Sequence, residues 1–223
     1  MDEHRARITK DGIRIYEDAD FAGMRSAGRV AAEILDTVAP LVVPGTTTTV
    51  LDDFITAEIK RHGVTSATIG YKGYKHASCI SVNHVVCHGI PGPKVLMDGD
   101  VLNIDVTVIV DGWYGDTSRM YVAGQLARKA ERLIEVTHEG LMRGIAAVRP
   151  GNTFGDIGYA IQSYVEAQRM SVVRDFCGHG LGRVFHAPPN VLHYGRSGSG
   201  PVLEEGMFFT IEPMVNLGRP ETK

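Results

Sequence analysis

The sequence predicts an α+β fold: a helix–turn–helix–strand unit that occurs twice, with an antiparallel hairpin between its copies. Three observations lead there. Apolar residues recur at helical spacing on either side of two Pro-Gly turns, Pro44-Gly45 and Pro150-Gly151. These turns lie 106 residues apart, and the triads after them, Leu51/Ile55/Ile59 and Ile157/Ile161/Val165, keep the same offset. Between the copies, Val101–Ile109 alternates strictly between apolar and polar residues. Helix, turn and helix in the same order twice is the mark of an internal duplication, and duplicated halves tend to meet at a ligand-binding cleft.

Each element follows from local chemistry. From Asp20, residues Ala27, Val30, Ala31, Ile34, Leu35 and Val38 trace one face of a helix that Pro40 stops. A threonine run at 46–49 offers N-caps to the second helix, which carries Leu51, Ile55 and Ile59. Residues 126–147 read as a third helix, and Ile157, Ile161 and Val165 mark a fourth. In the hairpin, Leu102, Ile104, Val106 and Val108 form an apolar face, with Asn103, Asp105 and Thr107 opposite them. A two-residue turn at Asp111-Gly112 pairs Val110 with Trp113 and so sets Thr107 against Asp116. Asp105 and Asp116 then share a face as diagonal neighbours, roughly 7–8 Å apart, within reach of one cation or a pair. Met207–Val215 is expected as a strand burying Phe209 and Ile211, with Thr210 and Glu212 together on the other face.

Composition bounds the function. A chain of 223 residues forms one domain or two small ones, and 43% hydrophobic residues exclude wholesale disorder. A net charge of -3 argues against nucleic acid as the main partner. No apolar run approaches the ~18 residues of a membrane span, and no apolar h-region follows the charged start, so a cytoplasmic location is expected. Residues 1–17 read as a polar N-terminal arm. Cys79, Cys87 and Cys177 make an odd set without a CxxC, which supports neither a disulfide framework nor a zinc knuckle. Cys87 and Cys177, beside histidines, are expected as small packing residues rather than ligands.

Two aspartates and a glutamate on polar strand faces, with glycine-flanked His179, suggest a divalent metal site. Mixed carboxylate and imidazole donors suit Mn, Fe, Co or Zn better than Ca or Mg. Like charges side by side on a hairpin are costly unless a cation neutralises them. His179, between Gly178 and Gly180, is expected as a ligand or catalytic group. His88 and His186 fit a structural or a functional role, while His84 and His193 are expected to make ordinary hydrogen bonds. The glycines of Gly178-x-Gly180-x-Gly182 lack the spacing and following helix of a dinucleotide loop. With no nucleophile elbow, P-loop or HExxH present, the pattern favours activated water over a covalent nucleophile.

Together these segments closely resemble the type I methionine aminopeptidases of the pita-bread metallopeptidase superfamily. The resemblance runs from about Asp18 to the last residue. It is carried by Met24-Arg25-x-Ala27-Gly28-Arg29, Asn83-x-Val85-Val86-Cys87-His88-Gly89-Ile90-Pro91 and Asn103-Ile104-Asp105-Val106-Thr107. It continues through Gly115-Asp116-Thr117-Ser118, Gly178-His179-Gly180, His186, Leu192-His193-Tyr194 and Thr210-Ile211-Glu212-Pro213-Met214. It implies a pita-bread fold, with pseudo-twofold halves around a curved antiparallel sheet, and a single catalytic domain over 18–223. It implies that Asp105, Asp116, His179 and Glu212 hold two divalent ions (Co, Mn, Fe or Zn) that activate a water, with Glu212 also moving a proton. His88 and His186 would contact substrate and steady the tetrahedral intermediate, and Tyr71, Tyr74, Cys79 and Phe185 would line a methionine pocket. The implied substrate is the N-terminal methionine of new polypeptides with a small second residue. The ribosome would be a further partner, and the full-length protein a monomer.

The chain departs from the family pattern in two places. Lys75-His76 stands where Pro-Lys is usual, beside the methionine pocket. The family also continues past the segment matching Val215-Asn216-x-Gly218 by roughly forty residues, enough for one more strand with its connections. That tail carries a pocket tryptophan and a further glutamate that bridges the metals, so a second metal site is expected to be impaired in these 223 residues. A prolidase or aminopeptidase P would need an extra N-terminal domain for which the chain has no room. The alternative from another class is a non-catalytic pita-bread protein that binds nascent peptide or the ribosome.

Overall fold

The computed structural model describes residues 7–223, so residues 1–6 of the expected arm lie outside the described residues. It divides into two compact units, Ala22–Glu131 and the remainder, Met1–Phe21 with Arg132–Lys223.

The Ala22–Glu131 unit contains most of α1 (Asp18–Val38), then α2 (Thr48–Arg61), β1 (Thr65–Ser66), β2 (Ser78–Val82), β3 (Asp100–Val110) and β4 (Trp113–Ala123). The stripe expected on α1 is the one it buries: Ala27, Ala31, Ile34, Leu35 and Val38. Helix α2 starts at Thr47, whose hydroxyl accepts from the Val50 N–H, and buries Leu51, Ile55 and Ile59. Strand β3 is the spine of an antiparallel sheet. β1 and β2 pair with successive stretches of β3, and β4 pairs along its whole length. Asp111 and Gly112 both have positive φ, 48° and 79°, the conformation of a two-residue hairpin turn that suits strand twist. The register is the one read from the sequence: Val110 faces Trp113 and Thr107 faces Asp116. Leu102, Ile104, Val106 and Val108 are wholly buried against the two helices. Gly115 lets β4 run against the α1 backbone, where an added Cβ would stand 2.2 Å from the Ala27 carbonyl oxygen.

The second unit holds most of α3 (Arg128–Ala146), with α4 (Phe154–Ala167), β5 (Ser171–Val172), β6 (Gly178–Gly180), β7 (Ala187–Val191) and β8 (Val215–Asn216). β5 pairs with β8 and β6 with β7, both antiparallel. Gly140 and Gly144 of α3 are buried, and a Cβ at Gly144 would lie 2.8 Å from Ile161 of α4; small residues therefore let the helices approach closely. Residues 7–17 are more than a polar arm. Ile8 bridges to Arg14, Ile13 is buried in this unit's core, and Tyr16 stacks on Phe208 at 4.7 Å. The strand expected over Met207–Val215 is also corrected. Only a bridge at Phe209 and the short β8 form, because the segment's backbone pairs intermittently, with His179 at Thr210 and with Val173 at Met214. Phe209 and Ile211 are half-buried rather than buried, though both pack on the core.

The duplication extends to detail. Helices α2 and α4, strands β1 and β5, and caps Thr47 and Thr153 each repeat at an offset of 106. Gly45 and Gly151 share φ values of 94° and 90°. Their N–H groups donate to Leu96 and Leu203 respectively, and Thr47 and Thr153 bridge to Val95 and Val202. Among the described residues, no helix is long and apolar enough to cross a membrane. We expect Thr47→Ala and Thr153→Ala each to lower unfolding free energy by about 1 kcal/mol. Thr153 should cost more, since its capping box also involves Asp156. Urea midpoints at unchanged m-value provide the check.

Candidate active site

Two of the expected acids lie on the β3–β4 hairpin of the Ala22–Glu131 unit. Asp105 faces Ser118 and Thr107 faces Asp116, so both aspartates project from one face, and both are half-buried. Thr107 donates its hydroxyl proton to Asp116 Oδ1 at 3.1 Å, fixing that carboxylate. Cys79 on β2 is the partner of Asp105 in the sheet. Its thiol is pushed up to about 11, mainly by burial, with a lowering contribution from its hydrogen bond with Tyr74 and raising charges on Asp105, Asp116 and Asp52. Burial and the neighbouring acids thus both disfavour the thiolate at Cys79. Burial also raises the Tyr74 phenol, whose hydroxyl donates to the Ser78 carbonyl at 2.9 Å. Tyr71 and Tyr74 flank a tight turn in which Lys72 and Gly73 have positive φ. His88, exposed and itself at φ 54°, is held through its neighbour: Gly89 N–H donates to Ser81 Oγ, and the Ile80 N–H donates to the Gly89 carbonyl.

His179, His186 and Glu212 belong to the other unit. The glycines around His179 are there because neighbouring backbone is too close for a side chain. A Cβ would lie 2.4 Å from the Thr210 carbonyl oxygen at Gly178, and 2.1 Å from that of Pro188 at Gly180. The His179 N–H donates to Thr210 Oγ1 at 2.9 Å, and the Thr210 N–H returns a bond to the His179 carbonyl. The His179 Nδ1 lies 3.1 Å from the Gly180 carbonyl, which can only accept, so Nδ1 carries the proton and Nε2 the lone pair. That Nε2 stands 3.7 Å from Glu212 Oε1. Thr210 Oγ1 donates to the same oxygen at 2.5 Å. The rings of His179 and His186 are 4.3 Å apart, and Phe185 lies beside both. His186 is exposed and Phe185 buried. Burial raises the Cys177 thiol, helped by the charge of Glu212, so it too stays neutral.

The expected residues thus fall into two sets. Asp105, Asp116, Tyr71, Tyr74, Cys79 and His88 belong to one unit, and His179, Phe185, His186 and Glu212 to the other. Each unit supplies two of the four expected ligands, and no group of three or more His, Cys, Asp or Glu is gathered for a metal ion among the described residues. Sequence reasoning missed the part played by three residues. Thr107 and Thr210 orient carboxylates, a role legible in the register that sets Thr107 opposite Asp116 and in the two-residue spacing of Thr210 and Glu212. His193 does make the hydrogen bond expected of it, but with the Glu212 N–H, which donates to its Nε2 at 3.0 Å.

A model of metallopeptidase family M24 matches residues 22–221, and the chain belongs to that family. Within it, the methionine aminopeptidase of Rickettsia prowazekii (strain Madrid E) is 56% identical over 210 residues, covering 94% of this chain and 81% of that one. The methionine aminopeptidase of Escherichia coli (strain K12) is 50% identical over 216 residues, covering 95% and 81%. The crystal structure of the Rickettsia prowazekii enzyme superposes with a TM-score of 0.94 at 55% identity, over 95% of this chain and 85% of that one. The prolidase from Pyrococcus furiosus, 20% identical and matched over 89% of this chain and 57% of its own, shares the fold at a TM-score of 0.74. The α+β pita-bread class expected from the sequence is the fold of this chain.

His193 generates a pH prediction. It is wholly buried, its Nδ1 has no hydrogen-bond partner, and burial pushes its pKa down to about 4. Below its ordinary value near 6.5 the unfolded chain takes up a proton that the folded chain refuses, so stability is lost as pH falls. Urea unfolding should show a loss of up to about 3 kcal/mol between pH 6.5 and 4 from this group. The slope should flatten in His193→Gln.

Proposed function

We propose that this protein removes the N-terminal methionine from newly made polypeptides whose second residue is small. The observation carrying this reading is the donor set, with two aspartates on one hairpin face and the His179 Nε2 3.7 Å from Glu212 Oε1. It occurs in a chain 56% identical to a methionine aminopeptidase over 210 residues. Family M24 is a metallopeptidase family, and the donors fit a divalent ion. The Nδ1 of His179 is committed to a carbonyl, which turns the lone pair to Nε2, and the carboxylates of Asp116 and Glu212 are each held by a threonine hydroxyl.

In this reading Asp105, Asp116, His179 and Glu212 are the residues that would hold divalent ions from among Co, Mn, Fe and Zn, with the second ion site the impaired one. When bound, the ions supply Lewis acidity and lower the pKa of water at the scissile carbonyl. Glu212 accepts the proton released by the attacking water and passes it to the departing amine. His88 and His186 donate hydrogen bonds to the oxygen on which negative charge develops. Tyr71, Tyr74, Cys79 and Phe185 form an apolar slot for the unbranched thioether, worth roughly 10–200-fold per methylene of fit. Residues 18–223 act as one catalytic domain, in the cytoplasm, on nascent chains at the ribosome, and the full-length protein is a monomer.

The direct test strips the protein of metal, restores Mn(II) or Co(II), and follows release from Met-Gly and Met-Ala peptides, with Leu-Gly as control. Metal-dependent release of methionine alone is expected. Folded, metal-loaded protein that binds peptide without turnover would instead establish the non-catalytic reading. Thr210→Val should weaken Mn(II) binding about 10–100-fold, read by titration calorimetry, because it removes the hydroxyl shared by His179 and Glu212.

A further inference from the structure

Asp52 is an acid on the inner face of α2, 5% exposed among Leu51, Ile55 and Ile59. A carboxylate in such a place must have its lone pairs satisfied by the protein. Its partners come from three consecutive residues. The Ala77 N–H, the Ser78 N–H and the Ser78 hydroxyl donate to Oδ1 at 3.1, 2.9 and 2.7 Å. The Nδ1 of His76 lies 3.0 Å from Oδ2 and donates there. Residues 76–78 lie within the four-residue link from Tyr74 to Cys79, so the carboxylate is wrapped by the link between two pocket residues.

From this anchor the rest of the loop is tied down in turn. The Tyr74 hydroxyl donates to the Ser78 carbonyl, and the Tyr74 ring meets the His76 ring edge-on at 5.6 Å. Thr68 Oγ1 donates to the His76 carbonyl at 2.8 Å, and the Gly70 N–H to the Tyr74 carbonyl at 2.7 Å. His76 closes the outer side of the carboxylate, with a third of its side chain exposed. It is the one donor to Asp52 that can be changed without touching backbone or the buried serine.

We infer that Asp52 and His76 form a positioning pair that sets the shape of the methionine slot, and thereby which N-terminal side chains the enzyme accepts. This rests on the reading of Tyr71, Tyr74 and Cys79 as slot residues. Neither Asp52 nor His76 touches substrate; they act through the loop. Losing the His76 donor leaves a buried carboxylate oxygen short of a partner, and the loop shifts to recover one. A slot that discriminates by fit is sensitive to displacements smaller than a methylene.

Two readouts test this in a Cys87→Ser/Cys177→Ser background, which leaves Cys79 as the sole thiol. His76→Leu removes the donor, whereas His76→Asn keeps an N–H near the Nδ1 position. In His76→Leu, maleimide labelling of Cys79 should be several-fold faster, with the asparagine variant restoring the parent rate. The ratio of kcat/KM for Met-Ala-Ser over Leu-Ala-Ser should fall roughly tenfold in His76→Leu, through KM for the methionine peptide rather than kcat, and recover in His76→Asn. Asp52→Asn, which turns the atom facing His76 from acceptor to donor, should reproduce the His76→Leu pattern if that variant fails to fold. Unchanged labelling and an unchanged ratio in a folded donor-less variant would overturn the inference, as would an asparagine variant that behaves like leucine. If the parent releases no methionine, the aminopeptidase reading fails, while the labelling comparison still decides whether the pair anchors the loop.

Discussion

The two-residue turn at Asp111-Gly112 is the constraint on which the Ala22–Glu131 unit depends. Both residues occupy positive φ, and a turn of that length admits one pairing of the strands it joins. Leu102, Ile104, Val106 and Val108 then face the helices, and Asp105 and Asp116 the opposite side. A slip of one residue would carry four apolar side chains into water and a carboxylate into the core. Hydrophobic burial therefore defends the register, and the register sets the spacing of the two acids. Core and site are here the same specification, read from the two faces of one strand.

What could be read from the sequence follows this division. The helices were legible because burial on one face leaves a periodic trace, and the hairpin register because alternation and a tight turn leave no other pairing. The site residues on β3 and β4 inherited that clarity. Elsewhere the signal was weaker for physical reasons. Residues 207–214 alternate like a strand, but their hydrogen bonds go to His179 and Val173 in turn, so no ladder forms. The buried Ile13 lies with Ile8, Ile15 and Tyr16 in a stretch too short and too interrupted by polar residues to show a helical period. Asp52 could not have been found, since a charged residue on a helix reads as solvated unless the chain supplying its donors is known. The links Thr107–Asp116 and Thr210–Glu212 were visible as spacing but not as function.

The duplicated scaffold has diverged in its chemistry while keeping its frame. The bridges Thr47–Val95 and Thr153–Val202 place the second partner at an offset of 107, and the same offset carries Asp105 onto Glu212. The two copies therefore carry an acid at matching positions. The copies differ in what pairs beside that acid. In the first copy Ser81 of β2 faces Asn103, two residues before Asp105. In the second His179 exchanges hydrogen bonds with Thr210, two residues before Glu212. One copy presents acids alone and the other an acid with an imidazole.

The bare backbone on either side of His179 has a further consequence. With no Cβ at Gly178 or Gly180, the carbonyls of Thr210 and Pro188 close on the strand from two directions. Glycine is ordinarily the residue with the most freedom to lose, and here that entropy is surrendered as the chain folds rather than when a ligand arrives. The imidazole is thereby aimed in advance, in a segment whose neighbours leave its main chain nowhere else to go. Affinity at such a position comes from rigidity acquired during folding, and loosening either carbonyl would transfer that entropic cost to the moment of binding.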